Sequence, residues 1–229
     1  MEKVYYMASF NSNHINSMLT AWIITLFLLV LAIVFNKRKY ATFLGYFILL
    51  SKIADIVIRV FLEKIKVDGV YSQAVDALPF HMCNILIILS GIYLITKNKY
   101  LYGIIVTWIF APILVMFIPS NFTYITWYYP IVFYLTHTMI IMTAIYGFVY
   151  FKQRLSFKMY LVSVVVLLLA FTNAYFVNNK LKTNFFFTHD YVMPVISKYL
   201  SLKVYRIAYI IANIIGVTAT YSLARKLRK

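Results

Sequence analysis

Seven apolar runs, separated by short polar and mostly basic segments, occupy this chain from end to end. They lie at roughly 16–35, 40–62, 81–96, 100–119, 130–151, 159–179 and 205–224, and a helix needs about 20 apolar residues to cross a bilayer. In hydrocarbon every backbone N–H and C=O must be bonded within the segment, so a run of this kind spans as a helix. The pattern therefore predicts an all-α polytopic membrane protein with seven transmembrane helices in one domain over residues 1–229. At this length seven spans use about 140 residues, which leaves no room for a soluble domain. Composition agrees: 63% of residues are hydrophobic and 12% charged, against ~45–50% and ~25% in soluble domains. The third run is short and is expected to extend into Lys97–Lys99. The first run is followed by Asn36-Lys37-Arg38-Lys39, a stop-transfer cluster, and so reads as an anchor rather than a cleaved signal.

The net charge of +16 suggests nucleic acid only until the cations are placed. Loops 36–39, 97–99, 152–158 and 225–229 hold Lys37, Arg38, Lys39, Lys97, Lys99, Lys152, Arg154, Lys158, Arg225, Lys226, Arg228 and Lys229, and no acid. The other loops mix Lys with Asp and Glu. Short Lys/Arg-rich loops stay cytoplasmic, so the N-terminus is expected outside and the C-terminus inside, in a multi-pass protein of the cell membrane. The cations are topology signals, and no nucleic-acid partner is expected. One cysteine, Cys83, allows no internal disulfide. The Lys-, Asn-, Ile-, Phe- and Tyr-rich composition suggests an AT-rich genome, as in a low-GC bacterium.

Four charges remain within the spans: Lys52, Asp55, Arg59 and Arg206. Lys52, Asp55 and Arg59 recur at i, i+3 and i+7 on one face of the second helix, with Glu63 continuing the stripe. Lys52–Asp55 is expected to form a structural ion pair, because pairing lowers the cost of burying each charge. Intramembrane charges point to function by default; a clamp docking the second helix on the bundle is the alternative.

The orientation places the rare polar side chains at one depth. Arg59, His81, Asn84, His137, Asn173 and Arg206 all fall in the outer halves of their helices, which predicts a single outer-leaflet site. His81 and His137 are the candidate catalytic pair, since imidazole titrates nearest neutrality. Arg59, Asn84, Asn173 and Arg206 are the candidate substrate-binding residues, with the arginines suited to phosphate. No metal site is expected, because the His-x-x-x-His and His-x-x-Glu spacings are absent. No cofactor is expected, because there is no P-loop or dinucleotide glycine motif. The outer loop 180–204 carries Phe185-Phe186-Phe187-Thr188-His189-Asp190, an aromatic run expected at the membrane interface and placed to lid the site.

Leu78-Pro79-Phe80-His81-Met82-Cys83-Asn84 before an apolar helix, with Tyr134-Leu135-Thr136-His137 opening a later one, resembles the YwaF-type bacterial membrane proteins, which are grouped with animal transmembrane protein 164. The resemblance covers about residues 15–225. It implies a seven-helix fold and an acyltransferase that moves a fatty acyl chain onto a lysophospholipid. His81 and His137 match the family's histidines. The cysteine that precedes the first histidine in the animal pattern is replaced here by Phe80.

Two functional classes follow, beside a structural or receptor-like role without chemistry. One is a lipid-modifying enzyme, an acyltransferase or acyl hydrolase, whose partners are membrane phospholipids or lysophospholipids. The other is a transporter or solute-binding membrane subunit that uses the same polar cluster.

Overall fold

The computed structural model describes residues 4–59, 66–67, 70–71, 78–118 and 122–226. Eight helices carry the fold: α1 (Ser12–Val34), α2 (Lys37–Val57), α3 (Met82–Thr96), α4 (Lys99–Thr107), α5 (Phe110–Phe117), α6 (Tyr129–Val149), α7 (Phe157–Leu181) and α8 (Leu202–Lys226). Five of them start for a local reason. The side chains of Asn11, Asn36, Asn98 and Ser156 accept from free amides in the first turns of α1, α2, α4 and α7. α6 opens with Pro130, whose missing N–H costs nothing in the first turn.

α4 and α5 form one apolar span, 99–117, broken in the middle. Pro112 is the cause. It has no N–H for the carbonyl of Trp108, so Ala111 bonds that carbonyl instead at 3.1 Å and the ladder shifts register.

Among the described residues six spans are long and apolar enough to cross a membrane: α1, α2, α4–α5, α6, α7 and α8. The seventh apolar helix, α3, falls short. Its 15 residues reach about 22 Å at 1.5 Å per residue, less than a ~30 Å hydrocarbon layer. The expected extension of α3 into Lys97–Lys99 does not occur. Lys97 adopts a left-handed conformation with φ 58°, which ends the helix at Thr96. The end of the second run, residues 60–62, and Glu63 lie outside the described residues.

α1 packs chiefly on α6, and α2 on α3. Thr25 and Thr138 share a 2.7 Å hydrogen bond between α1 and α6. The outward faces are apolar as well: Ile23, Phe27 and Val30 on α1 and Val165 and Leu169 on α7 are exposed. A bundle apolar inside and outside is one whose solvent is lipid.

The fold departs from all-helix at one end. There β1 (Tyr5–Met7), β2 (Lys66–Val67), β3 (Val70–Tyr71) and β4 (Phe122–Tyr124) form a small antiparallel sheet in the order β1-β4-β2-β3. It ties the N-terminal segment to the α2–α3 and α5–α6 connections. Tyr5 pairs with Tyr124, and their rings stack at 5.2 Å. Strands of two or three residues have too little length for a detectable period-2 pattern.

Candidate functional site

The last turns of α2 deliver the charged stripe to the end of the bundle that carries the sheet. Lys52 and Asp55 are one turn apart, and their side chains are 4% and 3% exposed. Lys52 Nζ donates to Asp55 Oδ2 at 2.6 Å, and Arg59 Nε donates to Asp55 Oδ1 at 3.2 Å. Lys52 also donates to Asn84 Oδ1 on α3 at 2.8 Å, and Asn84 Nδ2 donates to the Leu78 carbonyl at 3.2 Å. The Arg59 guanidinium lies 5.8 Å from the ring centre of Tyr129 at the start of α6. Both carboxylate oxygens of Asp55 are thus occupied, which makes it a counter-ion rather than a base. Among the described residues Asp55 is the shared anion of Lys52 and Arg59.

His137 is buried on α6 within electrostatic reach of Asp55, Arg59 and Lys52. Its Nδ1 lies 2.7 Å from the Phe133 carbonyl, an acceptor only, so Nδ1 carries the proton. In the neutral ring Nε2 is then the basic nitrogen. This is how a backbone carbonyl fixes a histidine tautomer for proton transfer. The Thr136 hydroxyl, at 3.4 Å, adds little.

His81 does not lie on the helix. It is the N-cap of α3, with φ −81° and ψ 150°, and its side chain makes no capping bond. His81 and Asn84 therefore do not share a helical face. Asn84 turns to Lys52, whereas the His81 ring meets Phe185 edge-on at 5.1 Å and Phe187 at 5.7 Å. Cys83 is a half-buried free thiol within electrostatic reach of Lys52. His81 feels the charges of both Arg59 and Lys52.

The aromatic run does not float at the interface. Phe185 and Phe186 are buried, and Phe186 packs on Phe171 of α7. Asn178, fully buried in the last turn of α7, holds the run in place. Its Oδ1 accepts from Phe185 N at 2.8 Å and its Nδ2 donates to Phe185 O and Thr188 Oγ1. The loop between α7 and α8 thus covers His81 as a pinned wall.

The structure brings together Lys52, Asp55, Arg59 and Asn84, with His137 and His81 beside them. It takes Asn173 and Arg206 elsewhere. Asn173 is exposed on α7 and faces out of the bundle. Arg206 Nε donates to the Thr188 carbonyl, and its guanidinium lies 5.6 Å from the ring centre of Tyr175, so it anchors the loop. Among the described residues neither bonds to the charged cluster. His189 is half-buried: Nε2 meets Asn179 Oδ1 at 2.9 Å and Nδ1 meets Thr188 Oγ1 at 3.1 Å. Burial, then the charges of Arg206 and Lys182, push its pKa down from 6.5.

Sequence reasoning missed Tyr129 and Asn178 as site residues. One is an aromatic and one an amide near a helix end, and nothing in their spacing distinguishes them from packing residues.

An apolar helical bundle that buries a paired charge cluster beside a tautomer-fixed histidine is a polytopic membrane protein with an intramembrane polar site. The chain belongs to the TMEM164 family, which matches residues 9–224. It is also similar to an uncharacterized protein of Treponema pallidum (strain Nichols), 25% identical over 137 residues. That match spans 60% of this chain and 58% of the relative, little more than half the relative's length. No solved structure matches it.

Proposed function

We propose that this protein modifies lipids in the cell membrane, by acyl transfer or acyl hydrolysis on a phospholipid at an outer-leaflet site. The observation that carries the reading is His137, whose Nδ1–H is committed to the Phe133 carbonyl beside the Lys52–Asp55–Arg59 cluster. Nε2 takes the proton of a lysophospholipid hydroxyl or of water. The oxygen attacks the ester carbonyl of a donor lipid. The tetrahedral intermediate then expels the donor's alkoxide, which recovers the proton from Nε2. Arg59 supplies positive charge for the lipid phosphate, and His81 serves as oxyanion donor or second proton carrier. Membership of the TMEM164 family supports a membrane role for the chain.

The test is turnover by purified protein in nanodiscs holding a diacyl phospholipid and a lysophospholipid, read by mass spectrometry of the lipids. Acyl exchange or fatty-acid release is expected. His137→Ala is expected to abolish it with the unfolding midpoint retained, and Cys83→Ser to leave it nearly unchanged. Unaltered lipids, together with solute uptake into proteoliposomes that depends on Asp55, would assign the cluster to transport.

A further inference from the structure

At the opposite end of α2, one full helix length from Arg59, lies a second site of a different kind. A cavity of about 640 Å³ opens between the α1–α2 turn, the α3–α4 turn and the α6–α7 connection. Lys37, Arg38 and Lys97 line it, and no acidic residue does. The only salt bridges among the described residues are those at Asp55, so none of these three cations is paired with a carboxylate.

A cytoplasmic retention signal requires charge in the loops and nothing more. This site is built. Lys37 Nζ stands 5.4 Å from the ring centre of Tyr150, and Lys97 Nζ stands 5.9 Å from that of Phe151. Aromatic faces thus hold the two ammonium groups where carboxylates usually would. The backbone beneath is braced as well. Tyr146 OH donates to the Lys37 carbonyl at 2.7 Å, and the left-handed Lys97 sets the rim at the end of α3. The amino end of α2, with its macrodipole positive, faces the same space.

We infer that this cavity binds a phosphate-bearing anion. Three unpaired cations, one of them an arginine able to fork two phosphate oxygens, converge on a concave surface without a counter-ion. A second cavity, of about 290 Å³, shares Gln153 with the first. It is lined mainly by apolar side chains of α4, α6 and α8, among them Val106, Ile145 and Phe148, together with Arg154 and Arg225. Phosphate recognition beside an apolar recess favours the headgroup of an anionic phospholipid over free phosphate.

The experiment uses the full chain in neutral detergent, with dioleoyl phosphatidic acid in one arm and inorganic phosphate in the other, and binding read by native mass spectrometry and thermal shift. Phosphatidic acid is expected to bind, and K37Q/R38Q/K97Q to weaken it at least about ten-fold, since charge-assisted hydrogen bonds are lost. Lys97→Gln alone gives an intermediate loss, and this holds the test open if the triple variant misfolds. Lys158→Gln and Lys226→Gln lie at the same end outside the cavity and are expected to leave binding unchanged. Phosphate binding that the triple variant removes, with no lipid preference, supports the same site and names free phosphate as its source. No binding of either probe, or equal loss in the Lys158 and Lys226 controls, overturns the inference.

Discussion

Lys52 donates to Asp55 on its own helix and to Asn84 on the next, and the second bond, at 2.8 Å, joins α2 to α3 at the candidate site. Lys52 is thus at once an ion-pair member and an interhelical tie. Removing its anion takes the shared carboxylate from Lys52 and Arg59. Asp55→Asn is expected to cost about 3–5 kcal/mol, the range for breaking a buried pair from one side. Asn84→Ala removes one of the two acceptors of Lys52 Nζ and is expected to cost about 1–3 kcal/mol. Reversible unfolding in mixed detergent micelles ranks the two. An Asp55→Asn protein unfolding at the parent's midpoint would contradict the pairing.

The seam that carries this tie depends on two glycines. A Cβ on Gly45 would lie 2.7 Å from the Gly91 carbonyl oxygen and 2.7 Å from Ile95 Cγ1. The first contact is with backbone, which cannot rotate away. Close approach through small residues is how helices associate in lipid, where no hydrophobic force drives them together. Gly45→Ala is expected to destabilise by about 1–3 kcal/mol through overpacking. Gly216→Ala meets only the Phe110 ring, at 3.0 Å or more, and is expected to cost less. Equal midpoints for the two variants would refute this seam.

Much of this was legible in the sequence, for identifiable reasons. The long helices follow from runs of apolar residues, and the Lys52–Asp55–Arg59 pairing follows from its i, i+3, i+7 spacing. His137 was legible as a lone imidazole in an apolar run, but its tautomer was not, because that depends on the Phe133 carbonyl. His81 was misplaced by about one residue, enough to take it off the helix and turn it toward Phe185. His14 went unread altogether. It is buried at the start of α1, accepts from Phe10 N at Nδ1 and bonds the Met116 carbonyl through Nε2, both at 2.8 Å. Its partner at Met116 is remote in sequence, and no local pattern announces such a contact. Asn173 and Asn178 illustrate the same limit. They are alike in type and neighbourhood, but only Asn178 turns inward, because Phe185 and Thr188 fold back to meet it.

Orientation rests on the loop cations and has a direct readout. In a Cys83→Ser background, Trp127→Cys at the sheet end and Lys158→Cys at the basic end place single thiols on exposed positions. With the N-terminus outside, an impermeant maleimide added to intact cells is expected to label position 127 and to spare position 158 until the cells are lysed. The reverse pattern would invert the protein, and the candidate site would then face the cytoplasmic leaflet.

The loop that walls His81 is expected to loosen in acid. Thr188 Oγ1 receives Asn178 Nδ2 at 2.7 Å and sits 3.1 Å from His189 Nδ1, while His189 Nε2 meets Asn179 Oδ1 at 2.9 Å. Neutral His189 suits this chain: Nε2–H donates to the amide oxygen and Nδ1 accepts from the hydroxyl. Protonation puts a hydrogen on Nδ1, which then no longer accepts from the Thr188 hydroxyl. Burial and the neighbouring Arg206 and Lys182 hold the folded pKa below the ordinary 6.5. Between those two values the unfolded chain binds a proton that the folded chain refuses. Stability is therefore full above about 6.5 and declines as pH falls through the window beneath it. Unfolding midpoints followed from about pH 8 to about pH 5 should fall more steeply in the parent than in His189→Gln, whose side chain carries no proton equilibrium in this range. Parallel curves for the two proteins would show that the His189 link does not hold the loop.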